Sequence, residues 1–442
     1  LNDANIPFIT ISFGSPYLPR YDILNTYICA YGYGSVSLSA AADAVLGRID
    51  VNGQLPVTLS EKYPAGHGIS IPKRTRVFDL SVTDIDLSAA WAVLDSAIDE
   101  RIFPGAQIFI AQDGKLIANR SFGHLTYDSD SPEVTDQTRY DVASLTKVLV
   151  TTPITMKLSS KYLIGLDHTV DQYFPEFTGG GKESVTLRHL MTHSSGLPPF
   201  KTYYQMDGFS NSDDVIVDIL STSLDFTPGS QYQYSDLGMI LMGKILEKVG
   251  KRSLDSMARS WVFKPFNMDH TGYLPAASLK PKIAPTEYDS VYRHTLIQGV
   301  VHDENTYLMG GVAPHAGVFS TAMDIANYAQ MMVNGGTFLG RRYFESWMIN
   351  QYTRRQDLPA GSDRAIGWDT PSRNGHSSAG DMFSDSSYGH LGFTGTSLWV
   401  DPDRKIVVVM LTNRVHPTRE RGGIYNIRRR FHTEVMKALI TD

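Results

Sequence analysis

The chain has 442 residues, of which 42% are hydrophobic and 19% are charged, a balance typical of a globular protein with about two domains. The formal net charge is −6 and the basic residues are scattered, which argues against a nucleic-acid or anionic-membrane partner. No apolar run approaches the length of a membrane span.

Residues 1–72 have the pattern of a small α/β fragment. Apolar runs at Pro7–Phe13 and Tyr27–Tyr31 predict two strands, and Ser37–Leu46 predicts a short Ala-rich helix. Gly53–Val57 predicts a further extended segment. Two strands and one helix bury too little surface to be stable alone. We therefore expect other parts of the chain, or residues upstream of it, to complete this sheet.

Residues 73–87 form a polar connector, and residues 88–442 have the pattern of a larger α/β domain. An amphipathic helix is predicted over Ala89–Glu100. Apolar runs on both sides of Asp113-Gly114 predict a β-hairpin, because this dipeptide favours a two-residue turn.

The domain ends in a predicted antiparallel hairpin and a helix. Its strands are Tyr388–Val400 and Lys405–Thr412, and the second is apolar enough to be central in a sheet. Glycines inside the first strand would let a substrate or another backbone approach closely. The final amphipathic helix includes Ile427 and Leu439.

A serine and a lysine three residues apart open an apolar run after the first hairpin. Residues at i and i+3 share a helix face, so Ser144 Oγ and the Lys147 amine can meet. A serine becomes a nucleophile when a base takes its proton, and a buried amine of lowered pKa can be that base. The pattern alone is weak, because it equally fits a helix-start serine and a solvated lysine.

Other polar residues lie where clefts commonly form. Tyr234 and Asp236 precede an apolar helix, where a tyrosine can transfer protons or simply be a core residue. Glycine-rich, non-periodic loops contain His302, Asn305 and His315, and such loops commonly shape binding sites.

Two further histidines have the spacing of a zinc pair. His189 and His193 are at i and i+4, but no glutamate or cysteine completes a metal site around them. We therefore predict that both histidines pack or cap the chain. No metal ion and no cofactor is expected.

Three motifs in this order resemble the penicillin-recognising serine hydrolases. They are Ser144-x-x-Lys147, Tyr234-Ser-Asp236 and His390-x-Gly392. The family includes class C β-lactamases, D-alanyl-D-alanine peptidases and esterases, and the likeness extends over most of residues 88–440. The region is also similar to serine-type N-acetylmuramoyl-L-alanine amidases. The resemblance implies an α/β, β-lactamase-like fold with a central antiparallel sheet flanked by helices, an all-α region and a small N-terminal α/β fragment.

The resemblance also implies a role for each motif. Ser144 would attack a carbonyl carbon and form an acyl-enzyme, and the N–H groups of Ser144 and Phe393 would form the oxyanion hole. Lys147 and Tyr234 would share the proton transfers. The predicted catalytic residues are Ser144, Lys147, Tyr234, Asp236 and His390. The predicted substrate-binding residues are Gly392, Thr394, His302, Asn305 and His315.

Two residues depart from the family pattern. Asp236 stands where many members have asparagine, and a carboxylate beside Lys147 favours the charged amine. Our hypothesis is that Lys147 stays protonated and holds Tyr234 partly as phenolate, so that Tyr234 is the working base. Asp236→Asn should then move the acidic limb of the pH–rate profile.

The second departure is His390, which stands where many members have a lysine that binds a substrate carboxylate. A histidine is largely neutral at pH 7. This favours amide or ester substrates over carboxypeptidase or strong β-lactamase activity.

The N-terminal fragment resembles another family. Ile11–Tyr17, Tyr27–Tyr31 and Gly53–Val57 are similar to the end of the C-terminal domain of family 3 glycoside hydrolases, the β-N-acetylglucosaminidases. Glycosidase catalysis needs two carboxyl groups beside the sugar bond, and residues 1–72 contain no such pair. We therefore expect a remnant or tether of an upstream glycosidase domain.

A hydrolase fused behind a glucosaminidase implies a muropeptide substrate, by analogy between folds. The predicted function is thus a serine hydrolase, either an amidase or a peptidase, that cleaves amide bonds of cell-wall muropeptides, with β-lactams as candidate covalent ligands. The alternatives are a carboxylesterase, a class C-like β-lactamase and a non-catalytic penicillin-binding sensor.

The expected location is periplasmic or secreted. The single Cys29 cannot form an internal disulfide, so cysteine usage does not indicate a compartment. Leu1 is not an initiator methionine, so we expect a processed or truncated chain, in which the lack of a signal peptide has little weight.

Overall fold

The computed structural model describes residues 9–17, 24, 26–47, 49–71, 77–80, 84–373, 375 and 377–440. The chain divides into two compact units: Leu1–Val77 with Thr337–Tyr343, and Phe78–Gly336 with Phe344–Asp442. None of the helices in the described ranges has both the length and the apolar character needed to cross a membrane.

Among the described residues, the smaller unit contains the first α-helix and the larger unit contains the other α-helices. The α-helices are α1 (Ser35–Val45), α2 (Ser88–Asp99), α3 (Thr152–Ser159), α4 (Leu187–Met191), α5 (Ser212–Ser221), α6 (Asp236–Gly250), α7 (Leu254–Ala258), α8 (Glu304–Leu308), α9 (Ala322–Val333), α10 (Ser346–Thr353) and α11 (Ile424–Ile440). The strands are β1 (Thr10–Ser12), β2 (Tyr27–Cys29), β3 (Gly105–Gln112), β4 (Lys115–Gly123), β5 (Tyr140–Asp141), β6 (Tyr288–Asp289), β7 (Thr295–Leu296), β8 (Phe319–Ser320), β9 (Thr337–Phe338), β10 (Arg341–Arg342), β11 (Tyr388–Leu391), β12 (Ser397–Asp401) and β13 (Ile406–Thr412).

The smaller unit contains a parallel pair, β1 and β2, followed by α1. β9 and β10, which also belong to this unit, pair antiparallel. The two strands and the helix predicted from the sequence are present, although the predicted strand start at Pro7 lies outside the described residues. The segment predicted to be extended at Gly53–Val57 contains no strand. Instead, an isolated bridge joins Val51 to Ile71.

The larger unit is built on a five-stranded antiparallel sheet in the order β11-β12-β13-β3-β4. α2 and α11 pack on one face, where Ile110, Val408 and Phe431 belong to one buried core. Val407 and Val409 alternate with that set and are also buried, so β13 is covered on both faces. The apolar character of β13 predicted this central position.

The predicted Asp-Gly hairpin joins β3 and β4. Asp113 and Gly114 have φ values of 48° and 74°. Positive φ at both central residues is the requirement of a type I′ turn, whose twist matches that of the flanking strands.

The prediction of one strand over Tyr388–Val400 is wrong. β11 and β12 are separate strands that pair antiparallel, with His390 opposite Leu398. A turn over residues 392–396 joins them. Gly395 has φ 114° there, a conformation open essentially to glycine alone. Gly392 and Gly395 therefore mark a turn, whereas Gly389 lies within β11.

We expect Gly114→Ala to lower the free energy of unfolding by about 1 kcal/mol, because alanine is disfavoured at positive φ. Urea denaturation would measure the change. Gly272→Ala is the matched control, since an added Cβ meets no atom within 4 Å at either position and only Gly114 has positive φ. Equal destabilisation of the two variants would contradict this account of the turn.

Candidate active site

The backbone before Ser144 is held in a constrained turn. Ala143 has φ 47°, in the left-handed region that disfavours side chains. The buried Asp141 carboxylate accepts the N–H groups of Ala143 at 2.8 Å and of His302 at 2.7 Å. These bonds fix the turn that presents the Ser144 hydroxyl.

Ser144 and Lys147 meet as their spacing predicts. Lys147 Nζ lies 2.9 Å from Ser144 Oγ. The lysine begins a π-helical turn, Lys147–Thr151, that leads into α3. Its side chain is completely buried, whereas Ser144 is half-buried. The buried Lys147 amine and the more accessible Ser144 hydroxyl are therefore close enough for proton transfer.

Three other groups surround the Lys147 amine. Nζ lies 2.8 Å from Asp236 Oδ1 and 3.3 Å from the His315 carbonyl oxygen. It also lies 4.8 Å from the centre of the Tyr234 ring. Burial by itself would lower the pKa of Lys147, but Asp236 and Tyr234 outweigh it and raise that pKa above its usual value. The amine is therefore charged at neutral pH and donates a hydrogen bond to Ser144.

The start of α6 positions Tyr234 and Asp236. Ser235 caps this helix by accepting the N–H of Gly238 at 3.1 Å, and Asp236 is its first residue. The Tyr234 ring stacks on His193 at a centroid distance of 4.2 Å. A serine N-cap thus places the phenol and the carboxylate on the same side of Lys147.

His193 and His390 flank Tyr234 as neutral side chains. The ring of His390 lies 6.2 Å from that of Tyr234. Burial, followed by the charges of Arg364 and Lys147, holds the pKa of both histidines well below its usual range. His193 was predicted to pack, and it packs directly on a predicted catalytic residue. The neutral state expected for His390 follows from its surroundings as well as from its residue type.

The β11–β12 turn packs against the nucleophile segment. Thr394 Oγ1 donates to the Asp141 carbonyl at 2.7 Å, and Thr396 Oγ1 donates to the Val142 carbonyl at 3.0 Å. A Cβ added to Gly392 would lie 2.5 Å from the Val142 oxygen. Position 392 therefore needs glycine for this close approach.

The two backbone N–H groups predicted to form the oxyanion hole have no protein acceptor within the described ranges. In the part of the chain that the structure describes, neither the Ser144 N–H nor the Phe393 N–H donates to a protein acceptor. Backbone donors without an internal partner are the groups that form an oxyanion hole. The oxyanion-hole role of Ser144 and Phe393 stays a prediction.

The three loop residues predicted to bind substrate are buried and have protein partners. His302 Nε2 lies 3.1 Å from Glu287, Asn305 Nδ2 donates to the Lys201 carbonyl at 2.8 Å, and His315 Nε2 lies 3.3 Å from Asp303. Of these three, His315 reaches the Ser144–Lys147 pair, through its main-chain oxygen.

Two cations near the site were not predicted from the sequence. Arg364 lies 5.2 Å from the Tyr234 ring centre and, with Tyr232, lines a cavity of about 450 Å³. Arg364 comes from an irregular loop, where no sequence pattern indicates its position. Arg428 lies on the buried face of α11, four residues before the buried His432. An arginine on an apolar helix face was a signal that could have been used.

Among the residues whose placement is described, no group of histidine, cysteine, aspartate or glutamate side chains could hold a metal ion.

Comparisons with known proteins identify the family. The family described as Beta-lactamase matches residues 92–430. A Salmonella agona protein named "Putative D-alanyl-D-alanine carboxypeptidase" is 31% identical over 360 residues, covering 73% of this chain and 82% of that protein. A protein of the same name from Salmonella typhi is 30% identical with the same coverage. The chain belongs to the β-lactamase family and is a serine hydrolase of that superfamily.

Solved structures confirm the predicted β-lactamase-like fold. A penicillin-binding protein homologue from Caulobacter crescentus has a TM-score of 0.64 at 18% identity, covering 81% of this chain and all of that chain (100%). EstCE1, described as a hydrolase with promiscuous acyltransferase activity, has a TM-score of 0.62 at 20% identity, covering 79% and 98%. A penicillin-binding protein homologue from Pyrococcus abyssi, described as octameric, has a TM-score of 0.60 at 22% identity, covering 74% and 73%.

The raised pKa of Lys147 predicts a change at alkaline pH. Asp236→Asn removes the charge that keeps the amine protonated, so Lys147 should lose its proton at a lower pH. We expect the alkaline limb of kcat/KM for a p-nitrophenyl ester, corrected for spontaneous hydrolysis, to move to lower pH.

The control for this prediction is Asp213→Asn, which changes an exposed aspartate on α5. Its profile should match that of the unmodified enzyme. An alkaline limb that stays in place in Asp236→Asn would contradict the role given to the ion pair.

Proposed function

We propose that this enzyme cleaves amide bonds of cell-wall muropeptides through an acyl-enzyme on Ser144. The observation that carries the proposal is the 2.9 Å contact between Ser144 Oγ and a charged, buried Lys147. The Lys147 amine also lies beside Tyr234, and the N–H groups of Ser144 and Phe393 have no acceptor among the described residues. The names of the Salmonella relatives support substrates of the peptidoglycan type.

The proposed first step forms the acyl-enzyme. Tyr234 acts as a phenolate in this step. Lys147 donates to Oγ, so the serine's own proton is free to pass to the phenolate oxygen as Oγ bonds to the substrate carbonyl carbon. The carbonyl oxygen becomes negative and is stabilised by the N–H groups of Ser144 and Phe393. When the C–N bond breaks, the leaving amine takes the proton from Tyr234.

The second step returns the enzyme to its starting state. A water molecule gives its proton to Tyr234 and attacks the ester carbon of the acyl-enzyme. The tetrahedral intermediate then breaks at the bond to Ser144, and Oγ recovers the proton from Tyr234. Lys147 remains charged throughout, which is the role that the Asp236 pair supports.

The neutral His390 favours an amidase over a carboxypeptidase. A substrate carboxylate gains most from a charged partner, and the pKa of His390 lies well below its usual range. A carboxypeptidase is the second candidate, because the Salmonella relatives carry that name. Covalent binding of β-lactams, a periplasmic or secreted location and a glycosidase domain upstream of residues 1–72 remain predictions. The family match begins at residue 92.

Ser144→Ala should reduce muropeptide cleavage and ester turnover by on the order of 10⁴-fold or more, because the nucleophile is lost. Mass spectrometry of defined muropeptides would identify the bond that is cut, and labelling with a fluorescent β-lactam would count acylated protein. Ser221→Ala, at the exposed end of α5, is the control and should retain activity. Undiminished cleavage by Ser144→Ala would exclude the proposed nucleophile.

The two candidate activities can be distinguished with one peptide prepared either with a C-terminal amide or with a free C-terminal carboxylate. We expect the unmodified enzyme to prefer a C-terminal amide to the free carboxylate. His390→Lys should raise the carboxylate-to-amide ratio of kcat/KM about tenfold, since a hydrogen bond to a charged group contributes about 1.5–3 kcal/mol. A preference for the carboxylate before mutation would instead favour the carboxypeptidase.

A further inference from the structure

Arg428 is a buried cation without a carboxylate partner in the described structure. It lies on α11 and is 5% exposed. Burial, followed by the charge of Arg414, lowers the pKa of Arg428 to about 9. The guanidinium therefore remains charged at neutral pH. A buried, uncompensated charge is unfavourable, so its hydrogen-bond partners indicate why it is tolerated.

Those partners are two carbonyl groups of the β11–β12 turn. Arg428 Nη2 donates to the carbonyl oxygens of Gly392 and Thr396, each at 2.7 Å. The Gly392 N–H also donates to the Thr396 oxygen at 2.7 Å. One side chain from α11 thus joins both ends of the turn that contains Phe393.

The Gly392 carbonyl and the Phe393 N–H belong to the same peptide unit. A trans peptide is planar, and its C=O and N–H point in opposite directions. A hydrogen bond that fixes the Gly392 oxygen therefore also fixes the direction of the Phe393 N–H. A cation on the oxygen withdraws electron density from the unit and makes its N–H a stronger donor.

We propose that Arg428 is a positioning residue for the oxyanion hole, which orients and polarises the peptide unit that donates the Phe393 N–H. The inference rests on the proposed function and adds a residue that does not touch substrate. Neighbouring contacts hold the same turn from other sides. Arg414 Nε donates to the Phe393 carbonyl at 2.9 Å, and Thr412 Oγ1 donates to the Gly395 carbonyl at 3.1 Å.

The test compares Arg428→Met and Arg428→Lys with Arg430→Met, a change of an exposed arginine on the same helix. The rate of p-nitrophenyl ester hydrolysis would be divided by the amount of Ser144 that can be acylated. That amount is given by the initial burst of nitrophenol. Thermal unfolding of each variant would be measured in parallel. We expect Arg428→Met to lower kcat by roughly tenfold to a hundredfold. Removing a whole oxyanion-hole donor typically lowers kcat by about a hundredfold or more. KM should change by less than about twofold, because the interaction develops in the transition state. Arg428→Lys should recover part of kcat, because it keeps the charge.

A second measurement separates orientation of the N–H from general stability. The infrared carbonyl stretch of an acyl-enzyme labelled with ¹³C at the acyl carbon reports the strength of the oxyanion donors. We expect this band at higher wavenumber in Arg428→Lys and unchanged in Arg430→Met. Because Arg428→Lys preserves the charge, it keeps the test available if Arg428→Met does not fold.

Two results would overturn the inference. A normal kcat per acylatable Ser144 in both Arg428 variants, with an unshifted carbonyl band, would show that Arg428 serves stability alone. An unmodified enzyme that is neither acylated nor active on esters would overturn the proposed function together with this inference, so the two failures are distinguishable.

Discussion

The ion pair between Lys147 and Asp236 is the interaction on which the site depends. A fully buried ammonium is tolerated only with a close counter-charge and hydrogen bonds, and Asp236 supplies that charge at 2.8 Å. The pair fixes the start of α6 against the turn that presents Ser144. Tyr234 precedes Asp236 by two residues, so the same contact brings the phenol to the Lys147 amine. The Lys147–Asp236 pair therefore both balances the buried charge and positions Tyr234.

The central sheet provides the opposite wall of the site. β11 places His390 near Tyr234, and the turn after β11 reaches the nucleophile segment through Thr394 and Thr396. β11 pairs with β12, and β12 pairs with β13, which is buried on both faces. The turn that contains the predicted oxyanion donor Phe393 is therefore attached to a buried sheet. A preorganised donor of this kind need not reorient during the reaction.

Local patterns in the sequence predicted the parts of the structure that depend on local geometry. The Ser144–Lys147 spacing, the Asp113-Gly114 turn and the apolar β13 each follow from neighbouring residues. Three motifs in order then indicated the family, and the fold followed. The break between β11 and β12 was missed because glycines within an apolar run fit either a strand or a turn.

Contacts between distant segments could not be predicted in the same way. Arg364 approaches Tyr234 from an irregular loop, and Arg428 reaches Gly392 from a helix on the other side of the turn. The predicted roles of His302 and Asn305 rested on loop composition, which does not show which way a side chain points. Their partners are set by tertiary packing, which a one-dimensional pattern does not contain.

The position of Arg428 in the chain has a consequence for biosynthesis. A protein emerges from the ribosome with its N-terminal part first, so Ser144 and Lys147 are made long before α11. Until that helix docks, a nascent polypeptide would carry the nucleophile without the clamp on the Gly392 carbonyl. If the proposed role of Arg428 holds, the site reaches its full reactivity only after α11 docks, so a half-made chain would be a weaker target for acylation.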